Sequence, residues 1–155
     1  MVRPESPTPP PLLGALMRMP VDAFHRRMLA DLHAAGFTDL VRAHFAVLRY
    51  PGPDGCRPSD LAVEAGMSRQ AMNYLLGQLE EFGYLVRGSD PEDRRSRRVH
   101  VTERGRVVAQ TMRGTVTAIE RRLEEELGRE DLNQLRELLT RLNASTAVSG
   151  DGGGQ

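Results

Sequence analysis

LAVEAGMSRQAMNYLLGQLEEFGYL, residues 61–85, is the stretch on which the reading of this chain turns. Ala62 and Gly66 stand four apart. A small residue at the first position lets two helices approach closely, and glycine at the second permits a left-handed turn between them. Met67 is placed to fill the inner side of that turn, and Ser68 to cap the second helix. Along that helix Met72, Leu75, Leu76 and Leu79 recur at helical spacing and predict a buried stripe. Arg69, Gln70 and Asn73 fall on the opposite face of its first turns. Those side chains have the reach and donor geometry to read major-groove edges, arginine on guanine and glutamine or asparagine on adenine. The helix N-terminus is where a recognition helix meets bases. An ordinary helical hairpin with a solvated polar face has the same pattern, so the flanking sequence must discriminate.

On the C-terminal side, YLVRG (84–88) and RRVHV (97–101) read as two strands, with Leu85, Val99 and Val101 facing inward at period two. SDPEDRRS (89–96) between them is charged and turn-forming. From Arg87 to Arg106 there are seven arginines against four acids, and four of the arginines fall within 94–98. A narrow minor groove attracts arginine, and a hairpin tip can deliver it there. A solvated charged hairpin, with Asp93 pairing Arg95, is the alternative. Thr102 then caps a long helix to about Leu127, with Val108, Met112, Val116, Ile119, Leu123 and Leu127 along one face. A last helix, about Glu130 to Asn143, carries Leu132, Leu135, Leu138, Leu139 and Leu142.

On the N-terminal side, a short helix from Ser59 to Ala65, capped by Ser59, precedes Gly66. PGPDG (51–55) is a loop. Thr38 is placed to cap a helix running through Arg49. The first helix spans about Leu12 to Ala35, with Val21, Phe24, Met28, Leu32 and Ala35 in one stripe and Pro20 set to bend or restart it. Residues 1–11 hold five prolines and 146–155 end in SGDGGGQ, so both ends read as tails outside the core. The expected organisation is one domain over 12–145. Within it 38–106 form the helix-turn-helix and ribbon, and 12–36 and 107–145 form flanking helices. The fold class is mainly α.

The 155-residue length suits one domain. Lys+Arg and Asp+Glu are both 21, so net charge is zero and any basic face must be local. Every basic residue is arginine. One cysteine excludes an internal disulfide framework and a cysteine zinc finger. No apolar run reaches membrane-spanning length and no secretory leader pattern is present, which predicts a cytoplasmic chain without a membrane partner. No nucleophile–base–acid set or phosphate-cradling glycine loop appears, so no enzyme activity and no cofactor are expected.

The run DPEDRRSRRVHVTERG (90–105) resembles the wing signature of MarR-type (multiple antibiotic resistance regulator) transcription factors: DPxDxR, a hydrophobic strand, then T-x-x-G. RPSDLAVEAGMSRQAMNYLLGQLEEFGYLVR (57–87) is similar to that family's helix-turn-helix at matching spacing. The resemblance implies a winged helix-turn-helix with N- and C-terminal dimerisation helices. It implies a homodimer that binds pseudo-palindromic double-stranded DNA, usually as a repressor. Carried onto this chain, Ser68, Arg69, Gln70 and Asn73 fall in the recognition helix. Arg95 falls at the wing tip that enters the minor groove, with Asp93 orienting it. Arg94, Arg97 and Arg98 add phosphate contacts, and Ser59 offers a phosphate its hydroxyl and helix N-terminus. Tyr74 and Gln78 depart from the family, many of whose members carry arginines there.

Such regulators often release DNA on binding a small aromatic or phenolic ligand. Phe24, Met28, His44, Phe45 and Leu48 are the candidate neighbours, against the alternative that they are ordinary core. Cys56 beside Arg57 is a candidate thiolate of lowered pKa, although the family's sensing cysteine lies in the first helix. His25, His33, His44 and His100 lack the compact spacing of a metal site, and no metal is expected. The competing functional class is a winged helix that binds another protein and not DNA.

Overall fold

The computed structural model describes residues 10–49, 52, 54–89 and 97–145. The elements are α1 (Leu13–Ala34), a 3₁₀ turn (Arg42–His44) leading into α2 (Phe45–Leu48), α3 (Pro58–Glu64) and α4 (Arg69–Glu81). They continue with β1 (Leu85–Ser89), β2 (Arg97–Val101), α5 (Glu103–Leu127) and α6 (Arg129–Asn143). The chain divides into two compact units, Met1–Thr115 and Val116–Gln155.

The first unit is a helix-turn-helix followed by an antiparallel ribbon, the architecture of a winged helix. Gly66 takes φ +62° in the turn between α3 and α4, a conformation that side-chain-bearing residues rarely adopt. Ser68 caps α4, its hydroxyl accepting from the Ala71 N–H at 3.1 Å. The stripe Met72, Leu75, Leu76 and Leu79 is buried as the periodicity predicts, and it meets Leu61 and Ala62 of α3 in a common core. In the ribbon Leu85 pairs with Val101 and Ser89 with Arg97. Leu85 and Val99 are buried and Val101 half-buried.

A third extended piece joins the ribbon. Cys56 and Val99 exchange backbone hydrogen bonds of 3.1 and 2.8 Å, tying the segment before α3 to β2. The joint between ribbon and α5 rests on two residues. The Thr102 hydroxyl donates to the Gly83 carbonyl at 2.6 Å and accepts from the Gly105 N–H at 3.1 Å. Gly105 lies so close to β1 that a Cβ there would collide with the Tyr84 carbonyl and come within 2.7 Å of Val101 Cγ1. The T-x-x-G spacing is therefore a cap followed by a close approach.

Four local expectations are corrected. Ser59 does not cap α3: Arg57 is the N-cap, Pro58 opens the first turn, and the Ser59 hydroxyl donates to Asp60. Thr38 does not start a helix. Asp39 is committed to Tyr84 and Leu40 to the core, so helical structure begins only at Arg42, with the Val41 N–H donating to His44 Nδ1 at 3.2 Å. Pro20 does not restart α1, which runs through it from Leu13 to Ala34. It deprives the Leu16 carbonyl of a donor on an exposed stretch, where water can supply one. Finally, Met28 and Leu32 of the α1 stripe are buried and Phe24 half-buried, but Val21 and Ala35 are exposed. Val21 belongs to an end of α1 where Leu12, Leu13, Leu16 and Met19 are also bare, and Ala35 is already the C-cap.

In the second unit, Gly128 is the N-cap of α6, and ion pairs link Arg129 to Glu124 (2.6 Å) and Arg136 to Glu120 (3.2 Å). Leu132 is buried, whereas Leu135, Leu138 and Leu139 stay exposed.

Candidate nucleic-acid interface and effector groove

The polar face of α4 is set by its buried one. With Met72, Leu75, Leu76 and Leu79 inward, Arg69, Gln70 and Asn73 are left exposed on the first two turns. No hydrogen bond or ion pair ties these three side chains to another described residue. Three donor-rich groups thus stand uncommitted on a rigid helix whose cap is satisfied from within. Tyr74 continues that face and is 67% exposed.

Arg97 is exposed at the start of β2. Arg98 points to the other side of the ribbon, half-buried, its Nη1 donating to the Gly55 carbonyl at 3.4 Å. Ser59 is half-buried in the first turn of α3 beside Asp60. Asp93, Arg94 and Arg95, the expected wing tip, lie outside the described residues.

An open groove of about 420 Å³ is lined by His25, Arg42, Ala43, Phe45, Ala46, Arg49 and Met67. Arg42 leans across to Asp22 at 2.6 Å and holds its carboxyl below the usual range. His25 Nδ1 is buried without a hydrogen-bond partner among the described residues. Burial, and then Arg42 and Arg49 nearby, lower the pKa of that ring, so it is neutral near pH 7. Of the candidate ligand neighbours Phe45 lines the groove. Met28, His44 and Leu48 are buried side chains of the core, and Phe24 is half-buried. His25, Arg42 and Arg49 were not singled out as groove residues in the sequence, because nothing in their spacing tells which turn of one helix faces another.

Cys56, the candidate thiolate of lowered pKa, is shifted the other way. Burial, with Glu64 and Asp60 nearby, pushes the thiol up to about 11. Arg57 is next in sequence, but residue 56 is held in the ribbon by Val99 and the carboxylates dominate its field. Among the described residues no cluster of His, Cys, Asp or Glu is placed to hold a metal ion, and no helix is long and apolar enough to cross a membrane.

A second chain of contacts reaches α4 from the 3₁₀ turn. His44, 1% exposed, accepts from Val41 N–H at Nδ1, and its Nε2 lies 3.2 Å from Gln78 Oε1. Gln78 Nε2 in turn donates to the Tyr74 hydroxyl at 3.3 Å.

Comparison with known proteins agrees with this geometry. The MarR family model matches residues 38–96. A MarR-family transcriptional regulator from Rhodococcus sp. RHA1 is 25% identical, covers 84% of this chain and 91% of its own, and superposes with a TM-score of 0.66. The transcriptional regulator PA4135 is 28% identical over 87% of this chain and 98% of its own, at a TM-score of 0.67. The transcriptional repressor CouR, solved bound to a 23-mer DNA duplex, is 27% identical over 85% and 92%, at a TM-score of 0.68. No curated protein sequence matches the chain. Residues 38–96 match the MarR family model, and the chain has the winged helix-turn-helix fold of the MarR-family transcriptional regulators it resembles.

Proposed function

We propose that this protein is a sequence-specific, DNA-binding transcriptional repressor that acts as a homodimer on a pseudo-palindromic operator. The observation that carries the reading is the uncommitted donor face of α4, Arg69, Gln70 and Asn73, next to an arginine-rich ribbon. In this reading α4 enters the major groove, and the tip beyond Ser89, with Arg95 oriented by Asp93, enters the minor groove. Arg94 and Arg97 hold phosphates. Arg98, half-buried against Gly55, and Ser59, beside Asp60, contribute less. CouR's complex with a DNA duplex supports DNA as the partner.

The bare leucines of α1 and α6 support a second copy as the element that covers them. The groove supports a small aromatic effector. Ala43, Phe45, Ala46 and Met67 offer a ring an apolar wall, and the His25 ring borders the same space.

Fluorescence anisotropy with duplex DNA from upstream of the protein's own gene, against a scrambled duplex at about 150 mM salt, tests the proposal. Selective binding to a two-fold-symmetric site supports it. Equal weak binding to that duplex and to sites selected from a random pool would favour the protein-binding winged helix instead.

A further inference from the structure

We propose that Tyr74 is a DNA-contacting residue, and that Gln78 and His44 position its hydroxyl as a donor pointing away from the protein. The inference rests on the DNA-binding reading above and adds to it a residue and the buried device that aims it.

The argument is one of hydrogen-bond polarity. The Val41 N–H is a donor only, so His44 Nδ1, 3.2 Å away, is an acceptor. The neutral ring therefore carries its proton on Nε2 and donates it to Gln78 Oε1 at 3.2 Å. This fixes the Gln78 amide with oxygen toward His44 and nitrogen toward Tyr74. The amide nitrogen donates to the Tyr74 oxygen at 3.3 Å, which leaves the phenol O–H to find an acceptor elsewhere. Phe82 stacks edge-on against His44, with ring centroids 6.0 Å apart, and holds the imidazole in this plane.

Tyr74 sits one helical turn beyond Gln70 and beside Asn73, on the face that α4 leaves to solvent. An outward O–H at that position meets the acceptors of a duplex, either a phosphate oxygen or a base edge such as purine N7 or thymine O4. An arginine would reach the same acceptors through charge. Here a neutral donor does so through direction, imposed by a side chain rooted in the core.

The test uses the full chain and a duplex that the wild type selects from a random pool, with affinities by anisotropy at one fixed salt concentration. Tyr74→Phe, which removes only an exposed hydroxyl, is expected to bind about tenfold more weakly, by the usual worth of a hydrogen bond to a charged or buried acceptor. Gln78→Ala is expected to lose a comparable factor. The double variant is expected to be no weaker than Tyr74→Phe alone, because one interaction is being removed twice. Thermal midpoints should stay level for Tyr74→Phe. Methylphosphonate substitution at single phosphates and 7-deazapurine substitution at single bases then locate the acceptor. Whichever change erases the difference between wild type and Tyr74→Phe names it. Unchanged affinity for Tyr74→Phe overturns the inference and leaves the DNA-binding reading standing. Additive losses in the double variant overturn the positioning role. A wild-type chain that selects no duplex overturns the DNA-binding reading and this inference with it.

Discussion

The hydroxyl of Tyr84 donates to Asp39 Oδ1 at 2.5 Å, across 45 residues of chain. Arg104 completes the contact. Its Nη2 donates to the Tyr84 hydroxyl at 3.0 Å and to Asp39 Oδ2 at 3.5 Å, and its guanidinium carbon lies 4.7 Å from the centre of the Tyr84 ring. The turn after α1, the entry to β1 and the first turn of α5 are thereby joined at one phenol. Burial and the Asp39 hydrogen bond both raise the pKa of Tyr84. A group whose folded pKa is raised adds stability that is complete below its unfolded pKa, about 10, and is lost as pH rises through the folded value. Tyr84→Phe should cost about 1–2 kcal/mol in urea unfolding at neutral pH. It should also flatten the fall in stability seen above about pH 10. An unchanged alkaline slope would place the titrating group elsewhere.

Two glycines of α5 should respond in opposite directions. Gly105→Ala drives a methyl into the Tyr84 carbonyl, which is backbone and cannot turn aside, so a loss of about 2 kcal/mol or more is expected. Gly114 has nothing within 4 Å of the place a Cβ would take. Gly114→Ala should gain about 0.5–1 kcal/mol from helix propensity. Chemical denaturation of both variants checks the pair, and equal effects would contradict the close approach at Gly105.

The arginines proposed for the major and minor grooves can be separated by what they do to specificity. Arg95→Ala should weaken operator binding by about 1–3 kcal/mol at matched salt. Arg69→Ala should relax sequence preference more than it weakens binding to scrambled DNA. A uniform loss across sequences would make Arg69 a phosphate contact, and an unchanged affinity for Arg95→Ala would remove the wing tip from the interface.

Cys56 should behave as an inert thiol. With its pKa pushed up to about 11, little thiolate exists at neutral pH, and iodoacetamide should label the folded protein far more slowly than the unfolded chain. Dilute peroxide should leave DNA affinity unchanged. Rapid labelling at pH 7 would contradict the buried setting of the sulfur beside Glu64 and Asp60.

What could be read from the sequence was what repeats or punctuates. The Met72–Leu79 stripe, Gly66, the Ser68 cap and the Thr102–Gly105 joint follow from period, backbone conformation and capping chemistry, all local to a few residues. The places where reading failed are places where a distant partner decides. Thr38 cannot cap a helix because its neighbour Asp39 is claimed by Tyr84. His44 has the composition of a ligand neighbour, but both its nitrogens are taken, one by Val41 and one by Gln78, 34 residues away. Cys56 beside Arg57 suggests an activated thiol until Val99 turns its segment into part of a ribbon. The donor face of α4 was readable because it is whatever the buried stripe leaves over. The groove was not, because its wall is assembled from α1, the 3₁₀ turn with α2, and Met67.

If a second copy covers the leucines left bare on α1 and α6, as proposed, this protein's persistence is tied to its abundance. Where a second copy covers them, the gain in folding free energy grows with the logarithm of concentration, so the melting temperature climbs on enrichment and sinks on dilution. Scarce copies would stay single, open more often and be degraded first. Surplus copies would pair and survive. Copy number would then be read twice, once in operator occupancy and once in lifetime, and the switch between silent and expressed target genes would be steeper than two-site binding alone can make it.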